Sequence, residues 1–407
     1  MITRMTEQRR TLLRRDTTIS TESEFALFDA RGRPLGRRET EGTIERARNE
    51  FGSRMRWRQT EVVAEVAPNA IELKICFSTV AEIREDLAAA YRILGRIIAE
   101  MGIRIISTSQ PTTSGAIGEG LTHFLSTDIF QKSAENLAAT NSVQFHVGIE
   151  SFDEGLAVYN AANRFASPIL ALTQCAVIDG RERGRAALVA EFFENLPSEL
   201  ANPWNMQSIG DYEKGMESAR QRVEEIVQRM APERIAELAV RYPTFVTTDG
   251  RVLQWTPDKI FQPARMRLDK EVPGMGLVGS VEFRPIDGQP TLQATIAAIE
   301  LTLGLLAQPL THHTDTLEKA DRDIGSATRR IAEYGLSAIS WNGLGSTERT
   351  HRQAINGIIS LGLVPEQLSE TSPLDGGNAE FRVIQNLSPE DIIGVNHRRF
   401  MRSVGVD

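Results

Sequence analysis

The chain has 407 residues, 41% of them hydrophobic and 25% charged, with a formal net charge of −8 at pH 7. That length accommodates one large domain or two ordinary ones, and the composition is that of a folded globular protein. The acidic balance argues against a general nucleic-acid binder, which needs a basic face, and no apolar run approaches the roughly 18 residues of a membrane span.

The opening MITRMTEQRRTLLRRDTTIS is Arg-rich but carries Glu7 and Asp16 and has no apolar core segment, so a secretory leader is not expected. Residues 1–17 read as an exposed arm on a cytoplasmic protein. Cys76 and Cys175 sit in apolar surroundings at no metal-ligand spacing and read as reduced core thiols.

In chain order, TESEFALFD alternates as a strand, with Glu22 and Glu24 on one face and Thr21, Ser23, Phe25 and Leu27 on the other. EVAPNAIELKI places Glu72 and Lys74 on a common face. Glu65 lies seven residues before Glu72, out of phase, but Pro68–Asn69 breaks the strand and can reset the parity. Residues 79–102 predict a helix: Thr79 and Glu82 have capping-box spacing, Ile83, Leu87, Leu94 and Ile98 share a face, and Gly102 ends it. The strand GIRIIST follows. VQFHVGI places Gln144 and His146 together, and Ser151 or Asp153 can start a helix that Pro168 is expected to interrupt. Residues 211–241 predict two charged helices, the second starting at Pro232. SVEFRPID puts Glu282 and Arg284 on one face, and Thr291–Ala307 reads as an apolar helix packed flat on a sheet. Beyond residue 308 the chain is more polar, with one helix predicted near Thr347–Leu361. Long helices interleaved with separated strands point to an α+β fold with a mostly antiparallel sheet.

Taken singly, each strand is simplest as a half-exposed one with its polar face in water. Four together are different, because the polar faces carry mainly glutamate, with one histidine and one arginine. Carboxylates brought to 4 Å repel by about 4 kcal/mol per pair in a semi-exposed setting, so they must take up protons or be neutralised by cations. Oxygen donors with a single imidazole and no thiolate suit Mg²⁺ or Mn²⁺, and magnesium reserves part of its shell for water and phosphate. No Ser/His/Asp or Cys/His arrangement and no Walker-type glycine loop is present. His312–His313 reads as a surface pair, and His123, His351 and His397 have no partner at ligand spacing.

The order TESEF, EVAPNAIELKI, FHVGI and VEFRPID resembles the glutamate–cysteine ligase type 2 and carboxylate–amine ligase family of the glutamine synthetase superfamily, over about residues 18–308. The resemblance implies a curved six-stranded antiparallel sheet forming a funnel with helices outside. It implies a catalytic domain over 18–308, with 309–407 as an extension packed on it. The implied activity is an ATP-dependent ligase that joins a small carboxylate, glutamate by default, to an amine through an acyl phosphate, with Mg²⁺. By the same resemblance Glu22, Glu24, Glu65, Glu72, His146 and Glu282 are metal ligands, Glu282 and Arg284 act at the transferred phosphate, and Arg265 and Arg267 contact nucleotide phosphates. Gln144, Arg181 and Arg185 are the candidates for the substrate; the two arginines, with Arg183, are read either as an anion site or as a solvated turn. The partners implied are a small acid and a small amine, with no nucleic acid or membrane and with self-association left open. Two features depart from the family pattern: Gln144 stands where a first histidine is usual, and DGRERGRAALVAEFF replaces a Thr-Gly-Tyr-x-Ser-x-Arg segment. A phosphotransferase or hydrolase on the same sheet, and a non-catalytic nucleotide-binding relative, are the alternatives.

Overall fold

Alternation through TISTESEF makes the first part of β1 (Thr18–Phe28) two-faced: Ile19, Thr21, Ser23 and Phe25 are buried, while Ser20, Glu22 and Glu24 are only partly so, and Ala26, Leu27 and Phe28 are all buried. The computed structural model describes residues 13–54, 59–65, 67–108, 129–130, 140–173, 189–190, 193, 196–253, 255–257, 260–272, 276–307, 329 and 389–406. After β1 come α1 (Arg37–Arg54), the hairpin β2 (Gln59–Ala64) and β3 (Ala70–Thr79), α2 (Ile83–Glu100), and β4 (Arg104–Ile106). Then follow β5 (Ser142–Ile149), α3 (Phe152–Thr173), the single turn α4 (Ser198–Ala201), α5 (Ile209–Gln228) and α6 (Pro232–Arg241). The strands β6 (Ala264–Val272) and β7 (Gly276–Asp287) precede α7 (Leu292–Leu306) and α8 (Pro389–Ser403).

The sheet is open, with strand order β2-β3-β1-β5-β7-β6 and the short β4 beside the end of β1. Among the described residues every strand pairing is antiparallel. This is the α+β architecture expected from the interleaving of helices and strands. One face of the sheet is covered by α2 and α3 and carries the main core, including Phe25, Leu27, Ile75, Phe145 and Phe283. The Phe145 and Phe283 rings pack 5.3 Å apart across β5 and β7. A second, smaller core gathers α5, α6 and the segment around Tyr242–Ile260.

Several local expectations change in the folded chain. Thr79 and Glu82 do not cap α2: the Thr79 hydroxyl donates to the Glu82 side chain at 2.8 Å, and the helix starts only at Ile83. Gly102 does end the helical segment, with φ +64 and its N–H on the Ala99 carbonyl at 3.1 Å. Ser151 caps α3, but the helix runs through position 168 to Thr173. Proline there removes one backbone donor, and burial of Ile169 and Leu170 just beyond it outweighs that loss. The apolar α7 is capped by Thr291, whose hydroxyl accepts the Ala294 N–H at 3.1 Å. It packs chiefly against α2, α3 and α8 rather than lying flat on the sheet, which explains why it is apolar all round. Gly288 ties the end of β7 to the start of β5 through its N–H and the Asn141 carbonyl at 3.1 Å, and a Cβ there would strike the Ser107 carbonyl.

Residues 13–17, expected on an exposed arm, include Leu13, which is fully buried in the core, and the buried Thr17. Of the segment 309–407, Arg329 and α8 with its following residues are described; the helix predicted near Thr347–Leu361 lies outside the described residues. The α8 helix brings Phe400 into an aromatic group with Phe25 and Tyr91, at ring separations of 5.6 and 5.8 Å. Truncating that fully buried ring removes a large apolar contact and leaves a cavity. We expect Phe400→Ala to lower the unfolding free energy by about 3–5 kcal/mol in urea titrations.

Candidate active site

The parity of each strand sets which side chains face away from the helices, and the register sets which of them meet. Glu24 of β1 lies directly opposite Glu72 of β3. Glu22 lies opposite Lys74 on one side and Gln144 on the other. His146 of β5 faces Glu282 of β7, which in turn faces Arg265 of β6. Side chains directly opposed in this way stand about 4.5–5.5 Å apart at Cβ. Glu65 joins them through the β2–β3 turn. In that hairpin Val63 pairs with Glu72, and the Glu65 N–H donates to the Ala70 carbonyl at 3.0 Å, so Glu65 shares the face of Ala70 and Glu72. Asn69 fixes the turn, exchanging backbone and side-chain hydrogen bonds with Leu27 of β1.

The six residues expected as metal ligands thus fall into two triads. Glu22, His146 and Glu282 form one, and Glu24, Glu65 and Glu72 the other; within each, one potential ligand atom per residue lies within 4.8 Å of the others. Carboxylates and one imidazole suit a hard divalent cation. Two features of the structure fit such an ion. The buried His146 Nε2 stands 3.3 Å from Glu22 Oε1, but not in hydrogen-bonding geometry, and has no hydrogen-bond partner among the described residues. Burial, reinforced by Glu22, Glu65 and Glu24, pushes the Glu72 carboxyl well above the usual range despite the opposing Lys74.

The two triads differ in how their charge is met. Burial would raise Glu22, but His146 and Lys74 outweigh it and hold the carboxyl well below its ordinary value. Glu282, only 1% exposed, is likewise held low against its burial by Arg265, His146 and Arg284. Its Oε2 accepts from Arg265 Nε at 2.8 Å and from Arg267 at 3.3 Å, and its Oε1 from Arg284 at 3.3 Å. The three arginines expected on phosphates are therefore all gathered on one carboxylate. Arg265 is itself buried and also donates to the Pro257 and Ile260 carbonyls, so it anchors Glu282; Arg267 and Arg284 lie nearer the surface.

Gln144, expected to face substrate, is buried and donates to Glu24 Oε1 at 2.8 Å and to Ser142 Oγ at 3.0 Å. It spans the ground between the triads. Lys74 was legible only as a neighbour of Glu72; its Nζ reaches both Glu72 Oε2 at 2.6 Å and Glu22 Oε1 at 3.1 Å. Shared strand parity was the signal for it. Arg181, Arg185 and the neighbouring Arg183 lie outside the described residues, as do Cys175, His123, His312, His313 and His351. Cys76, expected in the core, is only partly buried near the end of β3. His397 belongs to the docking of α8, its Nδ1 accepting the Ile105 N–H at 3.2 Å.

Residues 18–334 match the sequence profile of Glutamate-cysteine ligase family 2 (GCS2). The chain belongs to this family. No curated protein matches it in sequence. Among solved structures it is similar to a "novel glutamine synthase homolog", at 12% identity and TM-score 0.39, covering 94% of this chain and 71% of the other. It is also similar to the ligase PafA in complex with the prokaryotic ubiquitin-like protein Pup (11%, TM-score 0.41, 97% and 76%). A third likeness is to glutamate–cysteine ligase from Francisella tularensis in complex with AMP (10%, TM-score 0.41, 95% and 99%). Membership of GCS2 supports an ATP-dependent carboxylate–amine ligase acting on small molecules. No helix among the described residues is long and apolar enough to cross a membrane.

Two substitutions in this GCS2 member should move stability in opposite directions. Glu282→Gln leaves Arg265 buried without its counter-charge, and we expect a loss of about 3–5 kcal/mol. Glu72→Gln relieves a buried, repelled carboxylate, and in chelator-treated protein at pH 7 it should gain about 0.5–2 kcal/mol. Because the folded state holds the Glu72 proton more tightly than the unfolded one, stability falls as pH rises above the ordinary glutamate range. The advantage of Glu72→Gln should therefore vanish below that range, where Glu72 is protonated in both states. Denaturant midpoints measured across pH check both.

Proposed function

We propose that this chain is a ligase that uses ATP to join a small carboxylic acid, glutamate by default, to an amine through an acyl phosphate. The observation that carries the reading is the meeting of two ligand triads on one sheet face, with three guanidinium groups at the edge of one of them.

A carboxylate does not acylate an amine at neutral pH because oxide would have to leave. In the proposed sequence a carboxylate oxygen attacks the γ-phosphorus of ATP and ADP departs. The amine then attacks the acyl carbon, phosphate leaves, and the amine nitrogen gives up a proton. Glu22, His146 and Glu282 would hold one Mg²⁺ and Glu24, Glu65 and Glu72 a second, Mn²⁺ serving in either place. Bound there, the ions would neutralise charge on the transferring phosphoryl group. Arg284 and Arg267, the more accessible of the three arginines, are placed to meet phosphate oxygens. Arg265 keeps Glu282 oriented, and Gln144 fixes Glu24. Arg181 and Arg185 are proposed at the acid substrate. The catalytic unit is proposed to span residues 18–308 with the remainder packed on it, in the cytoplasm.

ADP release in a screen of amino acids and amines tests the reading. It should require both an acid and an amine. ADP formed without any amine points instead to a phosphotransferase or hydrolase, and Mg·ATP binding without turnover to a non-catalytic relative. Glu22→Gln should reduce turnover by about 10²–10³-fold, the scale seen when one stabilising group is removed from a transition state, and should raise the Mg²⁺ concentration required while circular dichroism stays unchanged.

A further inference from the structure

Lys74 spans the two triads. It follows Glu72 by two residues on β3, sits opposite Glu22 in the register, and reaches one carboxylate of each triad, Glu72 Oε2 at 2.6 Å and Glu22 Oε1 at 3.1 Å. Arg265, Arg267 and Arg284 collect instead on Glu282, at the far side of the Glu22 triad. A compact ammonium on a flexible stem suits the ground between two carboxylates better than a planar guanidinium does. It supplies one positive charge at longer range than the roughly 2.0–2.1 Å of magnesium–oxygen bonds.

Resting on the two-ion reading above, we infer that Lys74 is a built-in cation of the site. Its ammonium fills the position between the triads that a further divalent ion would otherwise take, so the protein binds two divalent ions and not three. A covalently attached charge has a second consequence: it cannot be removed by a chelator. The acidic face therefore keeps part of its neutralisation in metal-free protein, where the ions are lost and the carboxylates would otherwise repel unopposed.

Electron paramagnetic resonance counting of Mn²⁺ on the full-length protein without nucleotide tests this. Wild type should bind two ions per chain, one for each triad. Lys74→Met, which keeps the length of the side chain and removes its charge, should bind a third. Lys74→Arg, which keeps the charge, should return the count to two. Chelator-treated Lys74→Met should also melt several degrees below wild type and regain the difference on adding Mn²⁺. Three ions in wild type, or an unchanged count in Lys74→Met, overturns the role of Lys74 and leaves the two-triad reading standing. A wild type that binds no Mn²⁺ overturns both. Where Lys74→Met fails to fold, Lys74→Gln takes its place: a third ion is expected, and an unchanged count overturns the role of Lys74.

Discussion

Like charges held together on one face of an antiparallel sheet are the constraint around which the candidate site is built. Glu22, Glu24, Glu65, Glu72 and Glu282 come from four different strands or their ends, and the pairing register drives them together. Left alone, such a face would be a liability of several kcal/mol. The chain meets the liability unevenly. Guanidinium groups surround Glu282 and keep it charged, whereas the Glu24, Glu65 and Glu72 group is met by Lys74, and Glu72 binds its proton unusually tightly. The same crowding that costs stability creates affinity for a hard cation, because an ion placed there replaces repulsion with coordination.

Holding these groups in place requires a stiff support, and the opposite face of the sheet provides one. Alternate residues of β1, β5 and β7 bury Phe25, Phe145 and Phe283 beneath α2 and α3. On that side even the polar Thr21 and Ser23 are buried. The aromatic contact from α8 closes the core from a point more than a hundred residues beyond β7. Side chains anchored on paired strands backed by a packed core hold their geometry more precisely than side chains on loops. Arg265 shows the same logic at the site itself: it is buried, and its carbonyl contacts fix the guanidinium that orients Glu282.

Much of this was readable along the chain. Period-two alternation assigned Glu22, Glu24, Glu72, His146 and Glu282 to the polar faces of their strands, because parity within a strand is local geometry. Thr291, Pro232 and Gly102 marked helix boundaries for equally local reasons. Other signals misled. Thr79 and Glu82 have capping-box spacing, yet their side chains bond each other while the backbone turns before α2 begins. Pro168 looks like a break, but packing of the residues after it carries α3 onward. The bonds of Arg265, Arg267 and Arg284 to Glu282 were not legible, because charge is visible in a sequence while the partner of a charge is not.

Residue order alone shows which residues share a strand face, that those faces are acidic, and the succession of motifs that marks the family. Tertiary structure alone decided that the acidic residues divide into two triads, that Lys74 bridges them, and that Arg265 is spent on Glu282. The reason is physical. Parity repeats every two residues along one strand, but cross-strand contact depends on hairpin geometry and on register shifts such as those at Ile19/Thr21, Val143/Phe145 and Arg267/Lys270. A slip of one residue in a pairing sends every side chain of that strand to the other face, and what prevents the slip is the burial of a core assembled from the whole chain.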